Sequence, residues 1–455
     1  MKEAILFKRC LGLNDIHSFA TQQNNPKPDD PNAGNTELID CLNLTTTRDG
    51  ALESLPALVT AFTHSAPITN ISADKRFMFQ DSIDTLEWTG TDIYNRFPIC
   101  DGPIAHTPVD VRVCTPSAVY KSRNNVLTME QALVGTNPNP ITSIPFYQMP
   151  LYDQAFVYNA KCYVVNAADK RFLQYSEDYH YDLWALGDRF FSFKDEILQS
   201  GAVFSEKPNQ TGAICLVHAY GVSILDGSNP TDFTTKYYDC TVIDGSLFSG
   251  FISKLYGYGH VFLCDDGVYM IDADGTMVDL TIGLTSYLKS LNTVIHSATV
   301  HDGKYIACGD LCSIEYDFYT KTILKHSCMG VSTTVWRDQP WFASGEFVKT
   351  YGIDDSLLLD ASMQLPYSNL GNDGAKSIYD MYFTGTINGT LSIAAYCNEE
   401  KTWEKTIDGI GTVSNYRIKT PSCVLGNHVS FKLSSTNKFR LEKLTASYNP
   451  SQRSR

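Results

Sequence analysis

The sequence predicts an all-β chain: a β-propeller of six or seven blades followed by a small C-terminal β-sandwich. Three observations lead there. A hairpin recurs: AICLVHAYGVSILDG (213–227), HVFLCDDGVYMID (260–272), GKYIACGDLCSIEYD (303–317) and QPWFASGEFVKTYG (339–352) each place a tight turn between two apolar strands. Their first strands begin near Cys215, Val261, Tyr305 and Trp341, roughly 40 residues apart, the interval of a four-stranded blade. Second, 26 Tyr and 23 Phe with only 19% charged residues favour sheets over solvated helices. Third, helical periodicity is scarce, and only Leu280 to Leu291 and Asp195 to Ser200 compete as short helices.

In chain order, residues 1–35 read as an N-terminal loop or arm, because NNPKPDDPNAGN (24–35) is polar and rich in Pro, Asp and Asn. Residues 36–352 form the propeller. Earlier, more divergent hairpins at 75–88, 111–122 and 160–178 raise the count to six or seven blades. Radial packing covers both faces of each blade with its neighbours, and closure needs a joining strand, which Thr36 to Thr60 is placed to supply to the final blade. A pair of stacked β-sandwiches is the competing fold. Residues 353–376, with Pro366, Gly371 and Gly374, read as a linker. Residues 377–448 carry a compact strand series with an Asn388-Gly389 hairpin turn, and the last strand shifts phase at Glu442 and Lys443, which predicts a bulge. A basic tail, 449–455, ends the chain.

Composition excludes several function classes. At 455 residues two domains are expected. A net charge of −14 argues against a general nucleic-acid binder, which needs cationic surface to displace counterions. The charge is uneven: residues 401–455 hold ten Lys/Arg and three Asp/Glu, leaving −21 on the first 400 residues. A basic end on an acidic body reads either as a docking surface for an acidic partner or as a solvated tail. MKEAILFKR (1–9) lacks the apolar run of a signal peptide, so a soluble chain made in the cytosol and without a membrane anchor is expected. Thirteen scattered Cys then read as buried free thiols, and the sequons at Asn43, Asn70, Asn209 and Asn388 carry little meaning.

The chain has no G-x-S-x-G, H-E-x-x-H, G-x-x-x-x-G-K-[ST] or G-x-G-x-x-G motif, and GNDGAKS (371–377) has the wrong spacing for a phosphate loop. Cys308 and Cys312 lack a partner pair at zinc spacing. His260, His301 and His326 sit at strand or hairpin edges and read as hydrogen-bonded structural residues. Asp272, Asp274 and Gly275 resemble a calcium loop faintly but lack the third carboxylate and the closing Glu, so a β-turn is expected. Neither catalytic residues nor a cofactor is assigned, and the chain is expected not to be an enzyme. Two other readings compete: a propeller that binds or hydrolyses polysaccharide with carboxylates from distant blades, and a propeller adaptor binding peptides on one face.

Two stretches carry a family resemblance. TELIDCLNLTTTRDGALESLPALV (36–59) is similar to the opening of tail-completion proteins of tailed bacteriophages, through Arg48, Asp49, Gly50 and Pro56. KTPSCVLGNHVSFKLSSTNKFRLEKLTASYNPSQRSR (419–455) resembles their terminal sandwich. The nearest named group is the packaged-DNA stabilisation and tail nozzle, or hub, proteins of short-tailed phages. Pro56 is followed by Ala57 where that group often has Gly, so the turn geometry does not transfer. The resemblance implies a virion structural protein, assembled in the host cytoplasm as a hexameric ring below the portal and adaptor. Such a ring retains packaged DNA and conducts it, non-specifically, through its lumen during ejection. The implied docking surface for portal, adaptor or other tail proteins comprises Lys432, Lys438, Arg440 and Lys443.

Overall fold

The computed structural model describes residues 2–13, 35–97, 102–115, 119–123, 126–131, 146–147, 149–179, 181, 184–185, 190–204, 212–281, 288, 291–352, 360–370, 375–421 and 424–450. Within them the protein is a seven-bladed β-propeller inserted into a β-sandwich. Each blade is a four-stranded antiparallel sheet. Blade 1 is Asn70–Ala73, Phe77–Gln80, Thr85–Trp88 and Ile93–Phe97; blade 2 is Ile104–His106, Asp110–Cys114, Val119–Arg123 and Val126–Gln131. Blade 3 is Tyr152–Tyr158, Lys161–Asn166, Phe172–Tyr175 and Phe190–Ser192; blade 4 is Gln199–Phe204, Gly212–His218, Gly221–Asp226 and Thr234–Asp239. Blade 5 is Phe248–Ser253, Gly257–Cys264, Gly267–Asp272 and Met277–Asp279; blade 6 is Ile295–His301, Lys304–Gly309, Cys312–Asp317 and Thr322–Ser327. Blade 7 is Ser332–Trp336, Gln339–Ser344, Phe347–Tyr351 and, from the other end of the chain, Leu58–Thr63.

The recurring hairpins are the two middle strands of the blades. These strands are covered on both faces by neighbouring blades, so they read as unbroken apolar runs: every residue of Gly212–His218 is buried. The first strands neighbour one another around the axis and the fourth form the rim, as in the largely exposed Thr234–Asp239.

Closure is made as the sequence anticipates in kind, although the strand runs to Thr63. Leu58–Thr63 pairs antiparallel with Phe347–Tyr351, so the last blade cannot form without the beginning of the propeller. An aromatic cluster fills the seam between blades 7 and 1. Phe77 packs edge-on to Trp88 and Trp341, with ring centroids 5.5 and 5.8 Å away, and Trp336 and Phe62 complete the cluster.

The sandwich differs from the sequence-based boundaries. Its larger sheet runs Gly411–Lys419, Lys376–Ile387, Phe439–Pro450, Leu52–Ser54, Leu44–Thr46, with Lys2–Phe7 also alongside Phe439–Pro450 and Leu425–Gly426 alongside Lys376–Ile387. The other sheet runs Asp40–Leu42, Ala361–Gln364, Val429–Ser435, Leu391–Cys397, Glu400–Ile407. Residues 1–35 are therefore not wholly an arm: Lys2–Phe7 buries Ala4, Leu6 and Phe7 and covers an otherwise open edge of the final strand. Residues 40–54 belong to the sandwich and not to the propeller, Asn35–Leu38 pairs in parallel with Arg9–Leu13, and Ala361–Gln364 is a strand inside the segment read as linker. Asn388 and Gly389 do not close a hairpin. The strands either side lie in different sheets, so the turn carries the chain across the sandwich. The phase shift is a bulge: pairing steps from Thr384↔Lys443 to Gly385↔Leu441, leaving Glu442 unmatched. Asp195 to Ser200 is not helical, and it leads into the strand Gln199–Phe204. The expected loop over 24–34, most of the competing helix at 280–291, the 353–359 and 371–374 parts of the linker and the tail from 451 lie outside the described residues.

Candidate functional site

The first strands of the blades line a central channel, and they are too far apart to share backbone ladders, so side chains stitch them together. Ser332 Oγ donates to Asn70 Oδ1 at 3.0 Å, joining blades 7 and 1, and Ser297 Oγ donates to the Thr333 carbonyl at 3.2 Å, joining 6 and 7. Ser200 Oγ donates to Gln154 Oε1 at 2.8 Å between blades 4 and 3, and the Leu247 amide donates to Gln199 Oε1 at 3.1 Å between 5 and 4. Between blades 1 and 2, His106 Nε2 lies 3.0 Å from Ser72 Oγ. Burial pushes the His106 imidazole down to about 4, so this contact is between neutral groups at pH 7.

At the end where the first and second strands turn, the channel opens into a cleft of about 1240 Å³ between blades 1 to 5. Phe156, Phe204 and Tyr179 stand in its walls, with Asn159, Asn229 and Asp74 beside them. The Asn159–Ala160 turn holds both residues at positive φ, 43° and 64°, and is pinned by Asn159 Nδ2 donating to the Ser228 carbonyl at 2.9 Å. A second cleft of about 590 Å³ continues the mouth past blades 5 to 7, with Lys254, His301, Asp302 and Asp338 at its edge.

The sandwich docks on blade 6 through Asp40–Leu42 and Leu44–Thr46. Asn43 accepts the Ser327 amide at 2.8 Å, and Lys325 Nζ lies 3.1 Å from Asp40. Beneath this contact Glu315 is 1% exposed. Thr45 Oγ1 donates to its Oε1 at 2.7 Å, Lys304 Nζ lies 3.1 Å from the same oxygen, and His326 Nε2 is 3.3 Å from Oε2. Burial pushes the Glu315 carboxyl up; Lys304, His326 and Thr45 outweigh that and hold it down at about 2. Neither Glu315 nor Lys304 belongs to a motif legible in the sequence. The available signal was a carboxylate in the middle of an apolar strand, CSIEYD (312–317), which only a buried partner reconciles.

The family-like turn lies at the same joint. Gly50 donates to the Thr47 carbonyl at 2.8 Å with φ of +85°, Arg48 lies over the Tyr319 ring at 5.1 Å, and Pro56 falls between the sandwich and the first propeller strand. Asp49 lies 2.8 Å from Arg440. The Thr47 hydroxyl, and after it Arg440, hold the Asp49 carboxyl below its ordinary range. Arg440 also meets Glu442 at 3.2 Å and Glu53 at 3.9 Å. It is therefore engaged within the fold, and the acids that neutralise it come partly from the N-terminal strands. Lys432 and the pair Arg440 and Lys443 do not share a face: Lys432 alternates with inward Phe431 and Leu433 on one sheet, and the others lie on the opposite sheet. Lys438 sits in the turn before the final strand.

Asp272 is a turn residue, because its Oδ1 accepts the Asp274 and Thr276 amides at 3.0 and 2.9 Å. Cys308 and Cys312 are buried free thiols, and burial raises both above their ordinary range. His260 is fully buried with Ser249 Oγ 2.8 Å from Nδ1, and burial pushes it down to about 3. Among the described residues, no three His, Cys, Asp or Glu side chains are placed to hold a metal ion, and no helix is long and apolar enough to cross a membrane.

No family model and no curated protein matches this chain. Comparison with solved structures returns distant likenesses. The chain is similar to the extracellular domain of BT4673, a one-component system protein of B. thetaiotaomicron, at 9% identity over 80% of this chain and 47% of that one, with a TM-score of 0.44. For the extracellular domain of BT3049, a hybrid two-component system protein of the same organism, the figures are 10%, 95%, 63% and 0.46. For the Neurospora crassa Pan2 WD40 domain they are 11%, 64%, 90% and 0.35. The chain thus spans about half the length of BT4673's domain. All of these TM-scores lie below 0.5, and the propeller rests on the chain's own strand pairing.

Proposed function

We propose that this protein is a structural subunit of a short-tailed bacteriophage tail, a nozzle or hub component acting through shape and assembly without a reacting group. In this reading six copies form a ring below the portal and adaptor, retain packaged DNA and provide part of the conduit for its ejection. The protein would reside in the virion tail after assembly in the host cytoplasm. The supporting observation is convergence: the two stretches that bear the family resemblance, some 380 residues apart in the chain, meet in one sandwich through Asp49 and Arg440, 2.8 Å apart. The acidic balance of the chain suits a wall that repels duplex DNA during passage.

Mass measurement across concentration, alone and with the portal-side neighbour from the same particle, tests the reading. A closed ring of about six copies is expected. A protein that stays monomeric under every condition, with infectious particles that lack it, would contradict the proposal. Because Arg440 holds three acids of its own fold, the docking test belongs at Lys432 and Lys443. If the surface lies on one sandwich face, Lys432→Glu or Lys443→Glu, but not both, reduces incorporation into particles without changing thermal stability.

A further inference from the structure

The larger cleft at the propeller mouth is lined by three aromatic rings, Phe156, Tyr179 and Phe204, together with Tyr181. Phe204 is 46% exposed and stacks one face on Tyr158, with centroids 5.3 Å apart and planes at 22°. Phe156 stacks on Tyr163 at 5.5 Å with planes at 5°. Each ring is held from behind and turns toward the same cleft, whose third aromatic, Tyr179, is 78% exposed. The support is itself fixed: Tyr158 Oη donates to the Gly227 carbonyl at 2.5 Å, and the Tyr179 amide donates to the Ala160 carbonyl at 2.7 Å. Tyr179 also holds a positive φ of 58°, a conformation L-residues keep only when their surroundings impose it.

Exposed aromatic rings fixed from behind, flanked by amides and hydroxyls in an open cleft, match the two surfaces of a pyranose: a flat C–H face and a rim of hydroxyl groups. The volume, about 1240 Å³, exceeds the usual range for a site taking one small molecule, so an extended chain fits better than a single sugar. A nucleic acid would also stack on aromatics but needs cations for its phosphates. Here Lys75 is offset by Asp74, and His106 is neutral at pH 7. Hydrolysis by the two-carboxylate mechanism needs a facing pair, and among the described residues lining this cleft Asp74 is the only carboxylate.

We propose that this cleft binds a polysaccharide chain, with pyranose rings stacked on Phe204, Phe156 and Tyr179, and releases it uncut. The site does not depend on a place in a phage tail and is tested separately.

The full-length protein is applied to an array of bacterial capsular and O-antigen polysaccharides, with a dT oligonucleotide and a random peptide pool as competitors. Polysaccharides that bind are titrated against Tyr179→Ala, Phe204→Ala and, from the opposite end of the propeller, Tyr220→Ala. Tyr179 and Tyr220 are largely exposed, so their variants keep the wild-type thermal transition, and Phe204→Ala, which gives up a stacked ring, is titrated well below its own transition. The expected result is retention of at least one polysaccharide class, a tenfold or greater loss of affinity for Tyr179→Ala and Phe204→Ala, no change for Tyr220→Ala, and no new reducing ends after prolonged incubation. Failure to retain any polysaccharide overturns the proposal, as does retention that the cleft variants leave intact or that the oligonucleotide or peptides displace. New reducing ends that disappear in Asp74→Asn would replace binding with hydrolysis.

Discussion

Glu315 is the residue on which the joint between propeller and sandwich turns. Its carboxylate is stabilised in the folded state by Lys304, His326 and Thr45, so its folded pKa, about 2, lies below its unfolded value near 4.5. The sign follows from linkage: the contribution is fully present above the unfolded pKa and is lost as pH falls from about 4.5 through about 2. It amounts to about 3 kcal/mol at neutral pH. Glu315→Gln is expected to lower unfolding free energy by about 2–4 kcal/mol at pH 7, because Lys304 then loses a buried partner. Denaturant melts at pH 7 and pH 3 check this, and the difference between variant and wild type should shrink at the lower pH. Nearby, Gly303 has φ of +72°, and a Cβ there would lie 2.4 Å from Tyr319 Cε2. Gly303→Ala is expected to cost about 1–3 kcal/mol, measured the same way, by forcing both a left-handed alanine and a shift of the ring beneath Arg48. Neither residue stands out by spacing; both gain meaning only from what the fold brings against them.

At the scale of elements, the most legible strands were those with apolar neighbours on both sides. The middle hairpins could be read from the sequence, because burial on two faces leaves an apolar run that a turn interrupts, although the three divergent early ones left the count at six or seven. The first and fourth strands were less legible. QSGAVF (199–204) faces a polar channel and TTKYYD (234–239) faces solvent, so neither shows a clean alternation. Lys2–Phe7 was missed because six residues ahead of a polar stretch give no local sign of the distant edge they cover. The closing strand makes a strong prediction. Since Phe77 and Trp88 of blade 1 pack on Trp336 and Trp341 of blade 7, the blade completed by Leu58–Thr63, Phe77→Ala is expected to lose about 3–5 kcal/mol. Hydrogen exchange should then rise first in Leu58–Thr63 and Phe347–Tyr351, whereas uniform exchange across all blades would argue against a local seam.

For the whole molecule, the consequence is that the sandwich is one folding unit made from both ends of the described chain. A fragment covering 377–455, the boundary the sequence implies, lacks Lys2–Phe7, Asp40–Leu42, Leu44–Thr46, Leu52–Ser54 and Ala361–Gln364. It is expected to show no cooperative thermal transition, and joining residues 2–54 and 361–376 to it should restore one, as followed by calorimetry. The same assembly alters the electrostatic picture. The C-terminal segment is basic when counted along the chain, yet Asp49 and Glu53 return from the N-terminal strands to Arg440, so the cationic surface available for docking is smaller than the count implies.

Local alternation and turn chemistry encode the all-β class, the roughly 40-residue repeat and the bulge near Glu442, so these were legible in the chain before any fold was known. Tertiary structure alone decided that the propeller interrupts the sandwich, that Asn388 and Gly389 cross between sheets, and that Glu315 and the aromatic mouth exist as sites. Strand partners and buried ion pairs depend on contacts between residues hundreds of positions apart, and nothing in a window of ten residues records which distant edge or charge will meet them.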